Sequence, residues 1–285
     1  MTILRSILER GYFPKELPPA FFTEGFAAYA CTKKGRAVID AYKAVDNFTD
    51  CVAFDLALPG LARRPLRIPH PAGFCSLARL TSKSFGRLLT KAGRSRFSKS
   101  RPVYVPGRFR AISANVKPAN LARERSAARA GGSYLVKLDV NHFYPALYTH
   151  AVGWAIDPKT RSKKHWNNTK LLGKQVDQAL MNLQGKVSQG IPIGTDISFL
   201  LGEVVLAQID RQIPVSASRC YRWFDDFEIT CDTREQAESV LAALTKALRS
   251  FNLRPNAKKT AIFPLPQPAH EQWQQMIADH MSSHG

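Results

Sequence analysis

The chain has 285 residues, 45% of them hydrophobic, and its 41 Lys and Arg outnumber 22 Asp and Glu to leave a net charge of +19. That length allows a substantial core and two packed subdomains sharing a cleft. Five cysteines, odd in number and far apart, argue against a disulfide framework or a zinc site and suit a reducing cytoplasm; neither a long apolar span nor an apolar leader is expected, because Arg5 follows Met1 to Leu4 at once.

Residues 1–60 are expected to be mostly helical cover, with the Pro-rich aromatic run Arg10 to Phe21 as a strap packed across the rest. Residues 61–129 hold 17 Lys or Arg against the single acid Glu124, so most of the charge imbalance sits in one segment. A basic block of this density implies a polyanionic partner, and the interleaved Phe74, Phe85, Phe97, Tyr104 and Phe109 let it fold. Within it Arg94, Arg96, Lys99 and Arg101 read as charges that track a nucleic-acid backbone without reading sequence.

From 131 to 263 the pattern is α/β. The apolar run Tyr134 to Leu138 predicts a buried strand ending in Asp139, followed by a helix over Ala146 to Ile156 and an exposed polar connection over Asp157 to Thr169. Gln189 to Gly194 predicts a loop opening a helix over Thr195 to Asp210, with Thr195 or Asp196 as its cap. Cys220 to Trp223 and Phe227 to Cys231 predict a hairpin with Phe224, Asp225 and Asp226 at its tip. Thr233 to Phe251 predicts an amphipathic helix, and Leu253 to Ile262 carries Lys258 and Lys259 after an Asn turn. Pro264, Pro266 and Pro268 interrupt the tail 264–285, in which Glu271 to His280 forms one short helix at most.

A buried strand that ends in a carboxylate needs a compensating cation or donor. If Asp139 and Asp225 converge from neighbouring strands, they form a hard oxygen site suited to two Mg²⁺ ions about 3.5 to 4 Å apart, the arrangement that in-line phosphoryl transfer uses. Taken alone, each acidic block reads more readily as turn or cap chemistry; their combination around the Gln189 to Gly194 loop points to joining nucleotides. His142 reads as a packed or hydrogen-bonded residue behind the site and not as a metal ligand.

These blocks, in this order, resemble motifs A, B and C of reverse transcriptases, and Leu253 to Ile262 resembles motif D. The resemblance implies a right-hand polymerase of α/β (α+β) class, with basic fingers over 61–130, a palm with an antiparallel sheet over 131–263 and the thumb absent or supplied elsewhere. It makes Asp139 and Asp225, with the main chain of Val140, the ligands of two Mg²⁺ ions, for which Mn²⁺ can substitute. Asp226 is then the second Asp of the aromatic-x-Asp-Asp box, where Trp223 stands in place of the usual Tyr or Phe. Tyr144 falls where an aromatic ring lies under the sugar and excludes a 2′-hydroxyl. Gln189 and Gly190 fall where backbone touches the new base pair, and Lys259, or else Lys258, where a Lys approaches the triphosphate. Pro106 to Ile112 resembles the fingers hairpin that closes on the nucleotide, making Arg110 the first candidate for gripping the triphosphate and Arg108 the second.

Arg10 to Phe21, Ile68-Pro69-His70-Pro71 and the Asn141-His142-Phe143-Tyr144-Pro145 form of the first block are together similar to bacterial defence-associated and abortive-infection reverse transcriptases, and fit retrons and group II intron enzymes less well. The implied activity is RNA-directed DNA synthesis in antiphage defence. Its alternatives are template-independent or protein-primed DNA synthesis, and a catalytically idle nucleic-acid-binding scaffold. The implied partners are an RNA template, which could be a dedicated noncoding RNA, the DNA product and dNTPs. No membrane is implied. A clamp for the duplex is expected from a partner subunit, an RNA scaffold, another copy of the chain, or sequence beyond this one.

Overall fold

The computed structural model describes residues 2–17, 21–45, 48–57, 63–107, 109–158, 170–268 and 280. The chain opens with helices α1 (Ile3–Arg10), α2 (Glu24–Ala30) and α3 (Lys33–Val45). Thr2 caps α1 by accepting from the Arg5 N–H, which satisfies one of the donors a helix start leaves open. The expected helical cover ends earlier than residue 60. β-Branched and aromatic residues take over, and β1 (Cys51–Ala57) pairs antiparallel with β2 (Arg63–Pro69) as a two-stranded ribbon. Pro71 then sits in the first turn of α4 (Pro71–Lys83), where its missing N–H costs nothing, and His70 accepts from the Ala72 N–H to cap it. α5 (Phe85–Ala92) follows, then the short hairpin of β3 (Pro102–Tyr104) and β4 (Ile112–Ala114), and α6 (Leu121–Arg129).

The central element is a four-stranded antiparallel sheet in the order β6-β7-β5-β8, made by β5 (Tyr134–Asp139), β6 (Cys220–Trp223), β7 (Asp226–Cys231) and β8 (Ala261–Pro264). β5 buries Leu135, Val136 and Leu138 and has β7 and β8 on its two sides, which makes it an interior strand of the sheet. Helices α7 (Phe143–Ala146), α8 (Thr149–Ile156), α9 (Leu172–Leu183), α10 (Asp196–Asp210) and α11 (Arg234–Arg249) complete the fold. α10 is buried almost all round and packs against α5, α8 and the β3–β4 hairpin, so it forms the centre of the core. The result is an α+β fold with antiparallel sheets.

The polar connection after α8 begins differently from expectation. Asp157 is buried, pairs with Arg87 at 2.5 Å and accepts from the Gly173 N–H at 2.8 Å, which ties α5, α8 and α9 together. Residues 159–169 lie outside the described residues, as do Arg108 and all of the expected tail helix except His280. No helix among the described residues is long and apolar enough to cross a membrane. The five cysteines are free.

Candidate active site

The two acidic blocks meet at one edge of the sheet. Antiparallel pairing of β5 with β7 puts Asp139 directly opposite Asp226, and the Val140 N–H donates to the Asp225 carbonyl at 3.3 Å. Phe224 and Asp225 make the two-residue turn between Trp223 and Asp226, which themselves pair. Phe224 takes φ 51°, left-handed backbone that a side chain adopts only at a cost of about 1–2 kcal/mol. His142 also takes a left-handed φ of 46° and is exposed. It is therefore not packed behind the site, because the turn after β5 swings it outward.

Electrostatics at this edge are strained in one direction. Burial pushes the Asp225 carboxyl up, and the charge of Asp139 adds to that. Desolvation, then the charges of Asp225 and Asp139, push the Asp226 carboxyl up to about 7. The nearest relief is cationic: Lys259 Nζ lies 3.6 Å from Asp139 Oδ2, while the lysine remains 66% exposed. Asn256, a residue the sequence reading missed, grips Asp139 twice, through its side-chain amide to Oδ2 at 2.8 Å and its backbone N–H to the Asp139 carbonyl at 2.8 Å. Among the described residues no group of three or more His, Cys, Asp and Glu is gathered so as to enclose a metal ion. The donor set still suits hard cations, because carboxylate oxygens crowded at one point are the ligands such ions prefer.

The Gln189 to Gly194 loop packs against the segment that follows β5. The Gly190 N–H donates to the Leu147 carbonyl at 3.0 Å and the Ile191 N–H to the Tyr144 carbonyl at 3.1 Å; Gln189 is exposed. Tyr144 lies half-buried on α10 beside Phe143, and its ring fits because position 202 is Gly: a Cβ there would stand 3.3 Å from it. Its hydroxyl pKa is raised by burial and then by Asp225 and Glu203, which places the ring near the carboxylates. Thr195, and not Asp196, caps α10 by accepting from the Ser198 N–H.

Asp196 is instead paired with Arg110. The Arg110 guanidinium donates to Asp196 at 2.7 Å, to the Phe13 carbonyl at 2.6 Å and to the Gly194 carbonyl at 3.0 Å. Asp196 also accepts from the Ile112 N–H at 2.9 Å. The Arg110 fork thus joins the amino-terminal strap, the β3–β4 hairpin and the start of α10. Gly194 permits the junction, since at φ 104° a Cβ would come within 2.6 Å of Pro14. The strap expected over Arg10 to Phe21 is thus seated against this loop through Phe13 and Pro14.

The basic residues 94–101 run along β6. The Arg222 N–H donates to the Phe97 carbonyl at 3.1 Å and the Lys99 N–H to the Arg222 carbonyl at 2.8 Å, so the segment adds a parallel bridge to the edge of the sheet. Ser95, Phe97, Ser98 and Ser100 are buried, whereas Arg94, Arg96 and Arg101 are exposed. Lys99 departs from that pattern and pairs with Glu124 at 2.9 Å.

What anchors the serines is a network that the sequence reading did not find. Arg222, fully buried, donates to Glu203 and Asp210 of α10 at 2.9–3.1 Å. Ser98 and Ser100 donate to Glu203 at 2.9 and 2.8 Å, and Ser95 donates to Asp210. Burial pushes the Asp210 carboxyl up despite Arg222. A signal was available: Asp196, Glu203 and Asp210 recur every seven residues and share one stripe of an otherwise apolar helix, and each meets an arginine.

Residues 76–275 match the reverse transcriptase (RNA-dependent DNA polymerase) family. No curated protein matches the chain. Among solved structures it is similar to apo telomerase from Candida tropicalis truncated from its C-terminal domain, with TM-score 0.52 and 12% identity over 90% of this chain and 59% of that one. It is also similar to apo telomerase from Candida tropicalis, with TM-score 0.47 and 10% identity over 92% of this chain and 53% of that one. Telomerase from Candida albicans in complex with a TWJ fragment of telomeric RNA gives TM-score 0.47 and 10% identity over 88% and 47%. The chain thus spans less than two thirds of each, and at 12% identity the likeness to the truncated Candida tropicalis structure concerns the fold alone. With 200 of 285 residues inside the family match, the chain belongs to the reverse transcriptase (RNA-dependent DNA polymerase) family.

Proposed function

We propose that the chain is an RNA-directed DNA polymerase of bacterial antiphage defence that extends a primer 3′-hydroxyl with deoxynucleotides. The observation that carries this reading is the juxtaposition of Asp139 with the Phe224-Asp225-Asp226 turn, with Lys259 beside them. Bound Mg²⁺, or Mn²⁺, would supply activation of the attacking hydroxyl and neutralisation of charge on the triphosphate. Asp139 and Asp225, with the main chain of Val140, would hold the ions, and Asp226 would add negative charge beside them. Lys259, exposed and close to Asp139, would donate a proton to the leaving pyrophosphate.

In this reading residues 61–130 act as fingers and 131–263 as palm. The Tyr144 ring lies under the incoming sugar and selects deoxynucleotides by collision with a 2′-hydroxyl. Gln189 and Gly190 lie against the new base pair, and Arg110, or else Arg108, would grip the triphosphate. Arg94, Arg96 and Arg101, held outward by the buried serines between them, follow the template phosphates. The assignment to defence rests on Arg10 to Phe21, Ile68 to Pro71 and Asn141 to Pro145.

The test is to incubate the purified protein with Mg²⁺ and labelled dNTPs or NTPs, with and without RNA, and to sequence nucleic acid that copurifies with it. DNA complementary to an RNA supports the reading. Untemplated DNA supports the template-independent alternative, and no incorporation under any condition leaves the idle scaffold.

A further inference from the structure

Catalytic carboxylates must be held to within a fraction of an ångström, yet Asp225 sits in a two-residue turn next to left-handed Phe224. Both main-chain polar groups of Phe224 are fixed from behind. Its carbonyl accepts from the Arg222 guanidinium at 2.7 Å, and its N–H donates to the Ser100 hydroxyl at 2.8 Å. Ser100 and Arg222 are in turn joined through Glu203, and Asp210 holds the rest of the guanidinium. The five N–H groups of Arg222 are therefore all used, which holds the guanidinium plane in one orientation.

A buried arginine between two carboxylates is a poor route to stability, because well-packed apolar residues of the same volume do as well or better. Its distinguishing product is geometry. One strand residue transmits the position of α10 and of the segment around Ser100 to the peptide plane that precedes Asp225. Building on the polymerase reading, we propose that Arg222, with Glu203 and Ser100, is a positioning group for Asp225: it sets the angle at which that carboxylate meets a divalent cation.

Ser100→Ala is the mildest probe, since it removes one hydroxyl and leaves the arginine and both acids in place. Mn²⁺ binding followed by electron paramagnetic resonance gives a readout independent of turnover. The expected result for Ser100→Ala and Arg222→Lys is Mn²⁺ affinity about 10- to 100-fold weaker than wild type. Incorporation falls in parallel in kcat, with KM for dNTP little changed, while Ser100→Ala stays folded with its melting temperature lowered by a few degrees. Ser100→Thr, which restores the hydroxyl, recovers most of the affinity. A folded Ser100→Ala protein with wild-type Mn²⁺ affinity and kcat overturns the positioning role, whatever its stability. A wild-type chain that neither binds Mn²⁺ nor incorporates nucleotide overturns the polymerase reading and this inference with it.

Discussion

Asp139 and Asp226 face each other as the last pair of the β5–β7 ladder, two carboxylates at the one edge of the sheet where Lys259 also reaches. Like charges directly opposite across strands destabilise a sheet by a few tenths to about 1 kcal/mol. At pH 8, above the value of about 7 to which Asp226 is pushed, Asp226→Asn is therefore expected to raise the melting temperature by about 1–3 °C in chelator. Added Mg²⁺ should stabilise the wild type more than this variant. Calorimetry in EDTA and in Mg²⁺ checks both halves, and a lower melting temperature in EDTA would count against repulsion at this pair.

Asp139→Ala and Asp225→Ala should each abolish Mg²⁺-dependent nucleotide incorporation while leaving RNA affinity equal or slightly higher. Removing negative charge from the site does not weaken phosphate attraction elsewhere. Primer-extension and filter-binding assays on the same preparations separate the two effects, and full activity in either variant defeats the assignment.

Tyr144→Ala should admit ribonucleotides, with the ratio of NTP to dNTP incorporation rising by about 10-fold or more. The ring is wedged between Phe143 and Gly202, so its removal leaves the backbone hydrogen bond to Ile191 in place. Unchanged sugar preference would put the gate at another residue.

Arg110 and Asp196 form one tie, so their losses should not add. Each alanine variant is expected to lose about 3 kcal/mol in urea denaturation, and the double variant distinctly less than the sum. A KM for dNTP that rises in Arg110→Ala but not in Asp196→Ala would show Arg110 acting on the triphosphate as well.

Arg94→Ala, Arg96→Ala and Arg101→Ala should each weaken RNA binding about equally for any sequence and reduce the dependence of log affinity on log salt by about one unit. Lys99→Ala, whose ammonium is engaged by Glu124, should change the slope less. Titrations at several salt concentrations decide it.

Much of this arrangement was legible before any coordinates. A largely apolar strand ending in Asp139, a hairpin turning at Asp225, a glycine loop opening the helix at Thr195 and a segregated basic segment are local patterns, and local sequence carries them. The ribbon starting at Cys51 was missed because strand propensity is weak against a helical surrounding, and Asp157 was read as exposed because nothing beside it in sequence announces Arg87.

The sequence by itself thus determined the elements, the order of the acidic blocks and the excess of positive charge, since periodicity and composition are properties of neighbouring residues. Only the tertiary structure decided what each charge faces. Arg110 reaches Asp196 across 86 positions, Asn256 reaches Asp139 across 117, and Arg222 takes two acids from a helix that precedes it. Such pairings arise because a buried charge must find a partner among whatever packing brings near, and that neighbourhood is written in the fold and not in the local chain.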